Sequence, residues 1–283
     1  MICPGCSSPE STTKYRMASY RVVICRSCGM MYNGDFPHPK DVGATFDENY
    51  YRNVQAEAFA HVGGAGHDAS RPIYEMGMAV VEKRAGKGRV LDVGCAFGSF
   101  IELAKSRGWT ASGVEVSPYS SKFARESRGL DVFTGDLADY TAAAESFDLV
   151  TLWDVIEHVR EAQGTLTRAA RLLKPGGHLM LTTDNYRSLL SMLAAVSYYG
   201  TFGRLTYAVE RFFIPFNSCY LTHADVSRMA GRTGFREVFF TGIDYPIEKI
   251  KLSAAERLLL GTLYGVGAAL KLNSQFLIVV QKA

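Results

Sequence analysis

Four carboxylates stand where an apolar run gives way to a turn. Asp92 lies in the run Val90 to Val93, just before Gly94. Glu115 closes Thr110-Ala-Ser-Gly-Val-Glu-Val116. Asp136 follows Gly135, and Asp154 follows Phe147-Asp-Leu-Val-Thr-Leu-Trp153. A carboxylate about twenty residues past a glycine turn is placed to accept both hydroxyls of a ribose. An acid after the third strand can accept from the exocyclic amine of an adenine. On these residues alone a nicotinamide dinucleotide and an adenosyl sulfonium ligand both fit. The fingerprint G-x-G-x-x-G is not met, because Cys95 and Ala96 follow Gly94.

Asp154 and His158 are spaced i and i+4, so on a helix they share a face, and Glu157 is three residues from Asp154. A neutral imidazole near pH 7 can take a proton from a hydroxyl or an activated carbon. His158 and Glu157 are therefore candidate reaction residues, or else pin a helix start. His223 is a second candidate base, or simply part of a helix start that Thr222 caps.

A separate chemistry sits at the start of the chain. Cys3-Pro-Gly-Cys6 and Cys25-Arg-Ser-Cys28 are two C-x-x-C pairs with eighteen residues between them. That spacing points four thiolates at one tetrahedral Zn2+ ion, a closed structural site with no open position for substrate. Two disulfides are the alternative, disfavoured for a cytoplasmic chain. Cys95 and Cys219 read as core or loop thiols.

These residues need a scaffold. Val90 to Val93 reads as a buried strand turning through Gly94 and Gly98 into a helix beginning near Phe100. Strands at 110–116, 131–133, 147–153 and 178–183 alternate with helices at 118–127 and 163–173, the last stopped by Pro175-Gly-Gly177. Such alternation predicts an α/β, Rossmann-like parallel sheet with helices on both faces. A helix is expected over 71–84 and another over 225–233. Strands at 236–241 and 275–280 flank a helix over 253–270. The apolar, aromatic stretch 189–213 reads as a helical cover over a substrate pocket, with a membrane-surface helix as the alternative. Tyr50 and Tyr51 pack the ribbon onto the main domain or close over a ligand.

Leu91-Asp-Val-Gly-Cys-Ala-Phe-Gly98, Gly113-Val-Glu-Val116, Gly135-Asp136, the run Phe147 to Val159 and Leu172-Leu-Lys-Pro-Gly-Gly-His-Leu179 resemble, in order, the motifs of class I S-adenosylmethionine-dependent methyltransferases. The resemblance covers about 85–240. It implies a seven-stranded sheet whose last strand is antiparallel. It also implies an S-adenosylmethionine site drawn from Asp92, Gly94, Cys95, Ala96, Phe97, Gly98, Glu115, Val116, Asp136, Leu137 and Trp153. Ala96 departs from the usual middle glycine, which is tolerable if its backbone is ordinary. A four-cysteine ribbon, then Phe46-Asp-Glu-Asn-Tyr-Tyr51, then this domain, is similar to bacterial enzymes encoded among sugar and surface-polysaccharide genes. That similarity implies a sugar or nucleotide-linked sugar as methyl acceptor.

Length and composition bound the reading. A chain of 283 residues with 47% hydrophobic residues holds one large domain and a small appendage. The division expected is a zinc ribbon at 1–40, a connector and helix at 41–88, and a methyltransferase domain at 89–283 with its helical cover at about 186–234. A net charge of +3 weighs against an RNA methyltransferase that holds its substrate with the ribbon. A non-catalytic cofactor-binding protein is the other alternative. The N-terminal residues carry no secretory pattern and no apolar run reaches spanning length, so a cytoplasmic protein is expected.

Overall fold

The computed structural model describes residues 1–36, 69–250 and 252–283. Tyr50 and Tyr51 lie outside the described residues. Two sheets organise the rest. The smaller contains β1 (Ser11–Arg16), β2 (Arg21–Cys25) and β3 (Met31–Asn33). The larger is built around β4 (Arg89–Val93), with α1 (Arg71–Ala85) before it and α2 (Ser99–Ser106) after it. Then come β5 (Thr110–Glu115), α3 (Pro118–Arg128), β6 (Val132–Thr134), β7 (Phe147–Trp153), α4 (Ala162–Leu172) and β8 (Leu173–Asp184). The chain continues through α5 (Leu189–Gly200), α6 (Tyr207–Phe212), β9 (Cys219–Tyr220), α7 (His223–Arg232), β10 (Phe235–Ile243), α8 (Ala254–Ala269) and β11 (Gln275–Lys282).

The large sheet has the order β10-β11-β8-β7-β4-β5-β6. From β8 to β6 all neighbours are parallel, while β11 runs antiparallel to both β8 and β10. This is the expected seven-stranded sheet with an antiparallel last strand. Its central strands are buried on both faces: Val90, Leu91, Leu149, Val150, Leu152 and Leu277 have no exposed area. Each such side chain stabilises the fold by about 1.5–3 kcal/mol relative to exposure. One face packs α1 and α2 through Met78, Val81, Phe100 and Ile101, the other α4 and α7 through Leu166, Ala169, Val226 and Met229. The strand order reverses at β4, so the crevice at its carboxyl end is where such a sheet places a ligand.

One strand starts earlier than the sequence indicates. Leu173 already pairs with Phe147 and His178 with Leu149, so Lys174 to Gly177 bulge out between two paired residues. Gly176 permits this with φ +75°. Proline and the two glycines make a bulge within the strand, not a gap before it.

The ribbon is not a free appendage. β9, from the main domain, pairs with β3 and completes the smaller sheet. Cys3, Val23, Met30 and Tyr32 share one apolar core with Leu221, Val226 and Met229. Arg228 donates to the Cys28 carbonyl at 2.9 Å and Arg232 to the Gly5 carbonyl at 3.0 Å. The stretch expected to cover a pocket instead rests on this sheet: Ala194, Val209 and Phe213 pack against Tyr15, Tyr20 and Tyr220. Tyr20 Oη donates to the Phe213 carbonyl.

Candidate active site and metal centre

The turn after β4 is shaped by close approach. A Cβ on Gly94 would lie 2.4 Å from Val155 Cγ2, and one on Gly98 would lie 2.2 Å from Leu130 Cδ1; both have positive φ, +73° and +85°. Ala96 between them also has positive φ, +46°. The backbone there is left-handed, not ordinary, and that explains why a glycine is usual at this place. The turn hangs on β5: Gly94 N–H donates to the Val114 carbonyl at 2.8 Å.

Glu115 holds the same turn from below. Its Oε2 accepts from the Ala96 amide and its Oε1 from the Ser117 amide, both at 2.8 Å. Its side chain is buried, which raises its pKa, while those amides pull it down. Asp92 is buried beside it, with Oδ1 accepting from Thr151 Oγ1 at 2.7 Å. Burial pushes Asp92 up from 3.8 to about 8, and the neighbouring Glu115 adds to this. Asp136 is exposed at the rim after β6.

One cavity of about 730 Å³ joins these groups. It runs from Asp136 and Leu137, past Glu115, Val116 and Asp92, along Gly94, Cys95, Ala96 and Phe97, to Trp153, Asp154, Glu157 and His158. Of the eleven residues expected at a cofactor, Gly98 alone is absent from its lining; it acts by shaping the turn. Trp153 packs between Tyr74 and Phe100, with ring centroids at 4.6 and 5.2 Å.

The segment after β7 differs from expectation. Asp154 to Val159 is a series of turns, not a helix, and Asp154 has φ +53°. Asp154 is instead tied to β8: its amide donates to Thr182 Oγ1 at 3.2 Å, and Thr182 Oγ1 donates to its Oδ1 at 2.9 Å. His158 still reaches the cavity. Its Nδ1 lies 3.3 Å from the Phe216 carbonyl, an acceptor, so Nδ1 carries the proton and Nε2 is the basic nitrogen of the neutral ring. Burial lowers its pKa, which favours that neutral form at pH 7.

His223 does not join them. It lies at the start of α7 behind a Thr222–Asp225 capping box, 2.8 Å from Glu237 Oε2 and stacked on Phe240, and it does not line the cavity.

The far wall brings in residues that motif reading missed. Asp184, at the end of β8, and Gln275, at the start of β11, line the cavity with Ile214 and Asn217. Gln275 Nε2 donates to Asp154 Oδ1 at 3.3 Å and to Asp184 Oδ1 at 3.2 Å. Burial and the Asp154 charge raise Asp184 to about 7, and burial raises Glu157 well above the usual range. Glu157 Oε2 and Asn217 Oδ1 are buried with no partner among the described residues. The orientation of Asn217 is fixed: Tyr186 Oη donates to the Phe212 carbonyl, so it can only accept from Asn217 Nδ2. The one sequence signal for Asp184 was its place at a strand's end, shared with Asp92.

The four cysteines come together. Cys3 Sγ lies 3.6 Å from Cys28 Sγ, Cys6 Sγ lies 3.5 Å from Cys25 Sγ, and all four lie within 4.8 Å of one another. A disulfide needs about 2.0 Å. Ligands at about 2.3 Å from a tetrahedral ion stand about 3.8 Å apart. The set therefore fits one tetrahedral ion, with Gly29 at φ +78° after the second pair.

Comparison with known proteins agrees with this geometry. A family model described as a methyltransferase domain matches residues 66–238. A ubiquinone biosynthesis O-methyltransferase of Thiobacillus denitrificans is 32% identical over 176 residues, covering 59% of this chain and 72% of that protein. A solved structure of a SAM-dependent methyltransferase from Archaeoglobus fulgidus superposes with TM-score 0.54 at 19% identity, covering 75% of this chain and 94% of that one. A protein from Pyrococcus horikoshii does so with TM-score 0.56 at 20% identity, covering 83% and 99%. The two structures show the fold alone.

Proposed function

This chain belongs to the class I S-adenosylmethionine-dependent methyltransferases, and from that premise we propose that it methylates a hydroxyl of a small, donor-rich molecule. The observation that carries this reading is the single cavity. It places Asp136, Glu115 and Asp92 at one end and His158 with Asp154, Glu157, Asp184 and Asn217 at the other. Asp136 would hold the adenine amine, Glu115 the ribose hydroxyls and Asp92 the methionine end of S-adenosylmethionine, with the turn of Gly94 to Gly98 against it. Bound there, the cofactor would supply a methyl group activated on a sulfonium, for transfer to the acceptor oxygen with S-adenosylhomocysteine as leaving group. His158 Nε2 would take the hydroxyl proton. The surrounding walls align oxygen, carbon and sulfur, and alignment is itself a large part of such a barrier.

The far wall supports the acceptor class. Asp154, Asp184 and Asn217 offer oxygens that accept hydrogen bonds, and Glu157, whose burial favours the protonated carboxyl, offers an O–H donor and a carbonyl acceptor. A polyhydroxylated molecule satisfies them, which keeps a sugar or nucleotide-linked sugar as the finer proposal. The similar proteins' names speak for oxygen as the methylated atom and give no support for a sugar. The ribbon's four thiolates hold one zinc in a structural role.

The test is His158→Ala. As general base, its loss lowers turnover by about 10²- to 10⁴-fold with S-adenosylmethionine affinity nearly unchanged. Turnover and melting are measured on one preparation, on nucleotide sugars and on catechol-type phenols. A rate per folded molecule reduced less than about threefold removes the base assignment. Methylation of the phenols and not the sugars removes the sugar.

A further inference from the structure

Apolar side chains left in water are not spread evenly over this protein. Of the sixteen large hydrophobic residues that are exposed among the described residues, eleven fall in two stretches, 192–207 and 258–270. The two are neighbours in space. Leu189 N–H donates to the Leu272 carbonyl at 2.9 Å, and α5 packs beside α8 near Gly267.

Helix α8 has sixteen residues, and Gly267 is the one it buries. Leu258, Leu259 and Leu270 are 74%, 62% and 58% exposed. A helix this apolar belongs in a protein core or in lipid, and among the described residues α5 packs beside one part of it while Leu258, Leu259, Val266 and Leu270 stay in water. At the end of α5 the chain adds a further cost. Phe202 is held at φ +54°, a conformation unfavourable for a bulky residue, at the tip of a turn where it is 94% exposed. Phe202 thus stands as an exposed aromatic ring at the C-terminal end of α5.

Charge says what this face meets. Residues 187–211 and 252–271 hold five Arg and Lys against two Glu, a surplus of +3. The whole chain carries +3, so the remainder sums to zero. The basic excess of the molecule is confined to the segments that expose its apolar side chains. An isologous dimer through this face would set +3 against +3. An anionic lipid surface answers both features, taking apolar side chains below the headgroups and basic ones among them. No helix among the described residues is long and apolar enough to cross a membrane, so the contact lies in the interface.

We infer that the α5–α8 face docks this enzyme on an anionic membrane surface. The inference stands apart from the acceptor's identity, since none of these exposed residues lines the cavity.

The zinc-loaded full chain is floated with vesicles of phosphatidylcholine alone or with phosphatidylglycerol. Binding is expected on the anionic vesicles and to fall as salt rises. Leu258→Asp with Leu259→Asp reduces partitioning more than about tenfold. Arg204→Ala and Lys271→Ala reduce it by about fivefold each at low salt. Phe202→Ser is the second apolar probe, at a position where the fold gains nothing from the ring. S-adenosylhomocysteine affinity stays unchanged in every variant, which shows an intact fold. Absence of binding to anionic vesicles, or equal binding to neutral ones, overturns the inference. So does a dimer in light scattering that these same variants dissolve.

Discussion

Replacing Asp92 by asparagine isolates the charge at the centre of the cavity. The amide keeps the oxygen that accepts from Thr151 Oγ1, so the hydrogen bond and the volume survive. What disappears is a carboxyl whose pKa burial raises from 3.8 to about 8. Between those values the folded protein holds a proton that the unfolded chain has lost. Stability of the unliganded wild type therefore falls as pH rises through that window. Each decade is worth about 1.4 kcal/mol, so the part due to Asp92 between pH 5 and pH 8 is on the order of 2–4 kcal/mol, allowing for relaxation. Glu115, Glu157 and Asp184 are raised too and remain in the variant, so the quantity to follow is the difference between the two proteins. Urea unfolding at several pH values should show Asp92→Asn gaining on the wild type as pH rises. A cationic cofactor beside Asp92 favours its ionised form. Binding near pH 7 should then release protons, seen in calorimetry as heat that depends on the buffer, and release less in the variant. A stability difference that does not change with pH would refute the reasoning, because Asp92 would then be ionised in the empty cavity.

Two further outcomes follow from the backbone and the ribbon. Ala96→Gly should be neutral or stabilising by up to about 1 kcal/mol, since glycine relieves the left-handed strain at φ +46° while adding chain entropy; a loss of about 1 kcal/mol in urea unfolding, as on ordinary backbone, would contradict that conformation. Cys25→Ser should remove the metal and raise hydrogen exchange at residues 214–221 as well as 1–36, with S-adenosylmethionine affinity close to that of the wild type; exchange confined to 1–36 would mean the ribbon is an independent module.

The sheet was legible because its strands carry the signal themselves. Buried parallel strands read as apolar runs, and each carboxylate at a run's end marks the edge where the cavity opens. The four cysteines were legible for a similar reason: their spacing is local. What failed was whatever depends on a distant partner. Asp154 to Val159 has helical spacing, yet Thr182 on β8 captures Asp154 and holds its backbone in a left-handed turn. Residues 189–213 look like a pocket's cover, yet the ribbon's tyrosines give them a nearer apolar surface. Asn217 and Gln275 carry no motif. Each gains its place from a hydrogen-bond partner far away in sequence, Tyr186 for one and Asp154 with Asp184 for the other.

The ribbon's place in the fold follows from the same long-range bonds. Asn33, on the ribbon's third strand, is almost wholly buried, and its Nδ2 donates to the Pro215 carbonyl at 3.0 Å while its amide donates to the Ser218 carbonyl at 2.9 Å. Ser218 in turn donates from its amide to the Glu157 carbonyl at 2.7 Å, and from its hydroxyl to the Glu157 and Val159 carbonyls. These bonds leave Ile214 and Asn217 on one wall of the cavity and Glu157 and His158 on the adjoining one. None of them touches the turn of Gly94 to Gly98 or Glu115. Each such buried bond, once broken, leaves a polar group unsatisfied at a cost of about 1–3 kcal/mol. A metal closing the ribbon's knuckles would hold such a partner firmly. Cys25→Ser should therefore act first on the walls of Ile214, Asn217, Glu157 and His158, while the part of the cavity built on β4 and β5 is left in place.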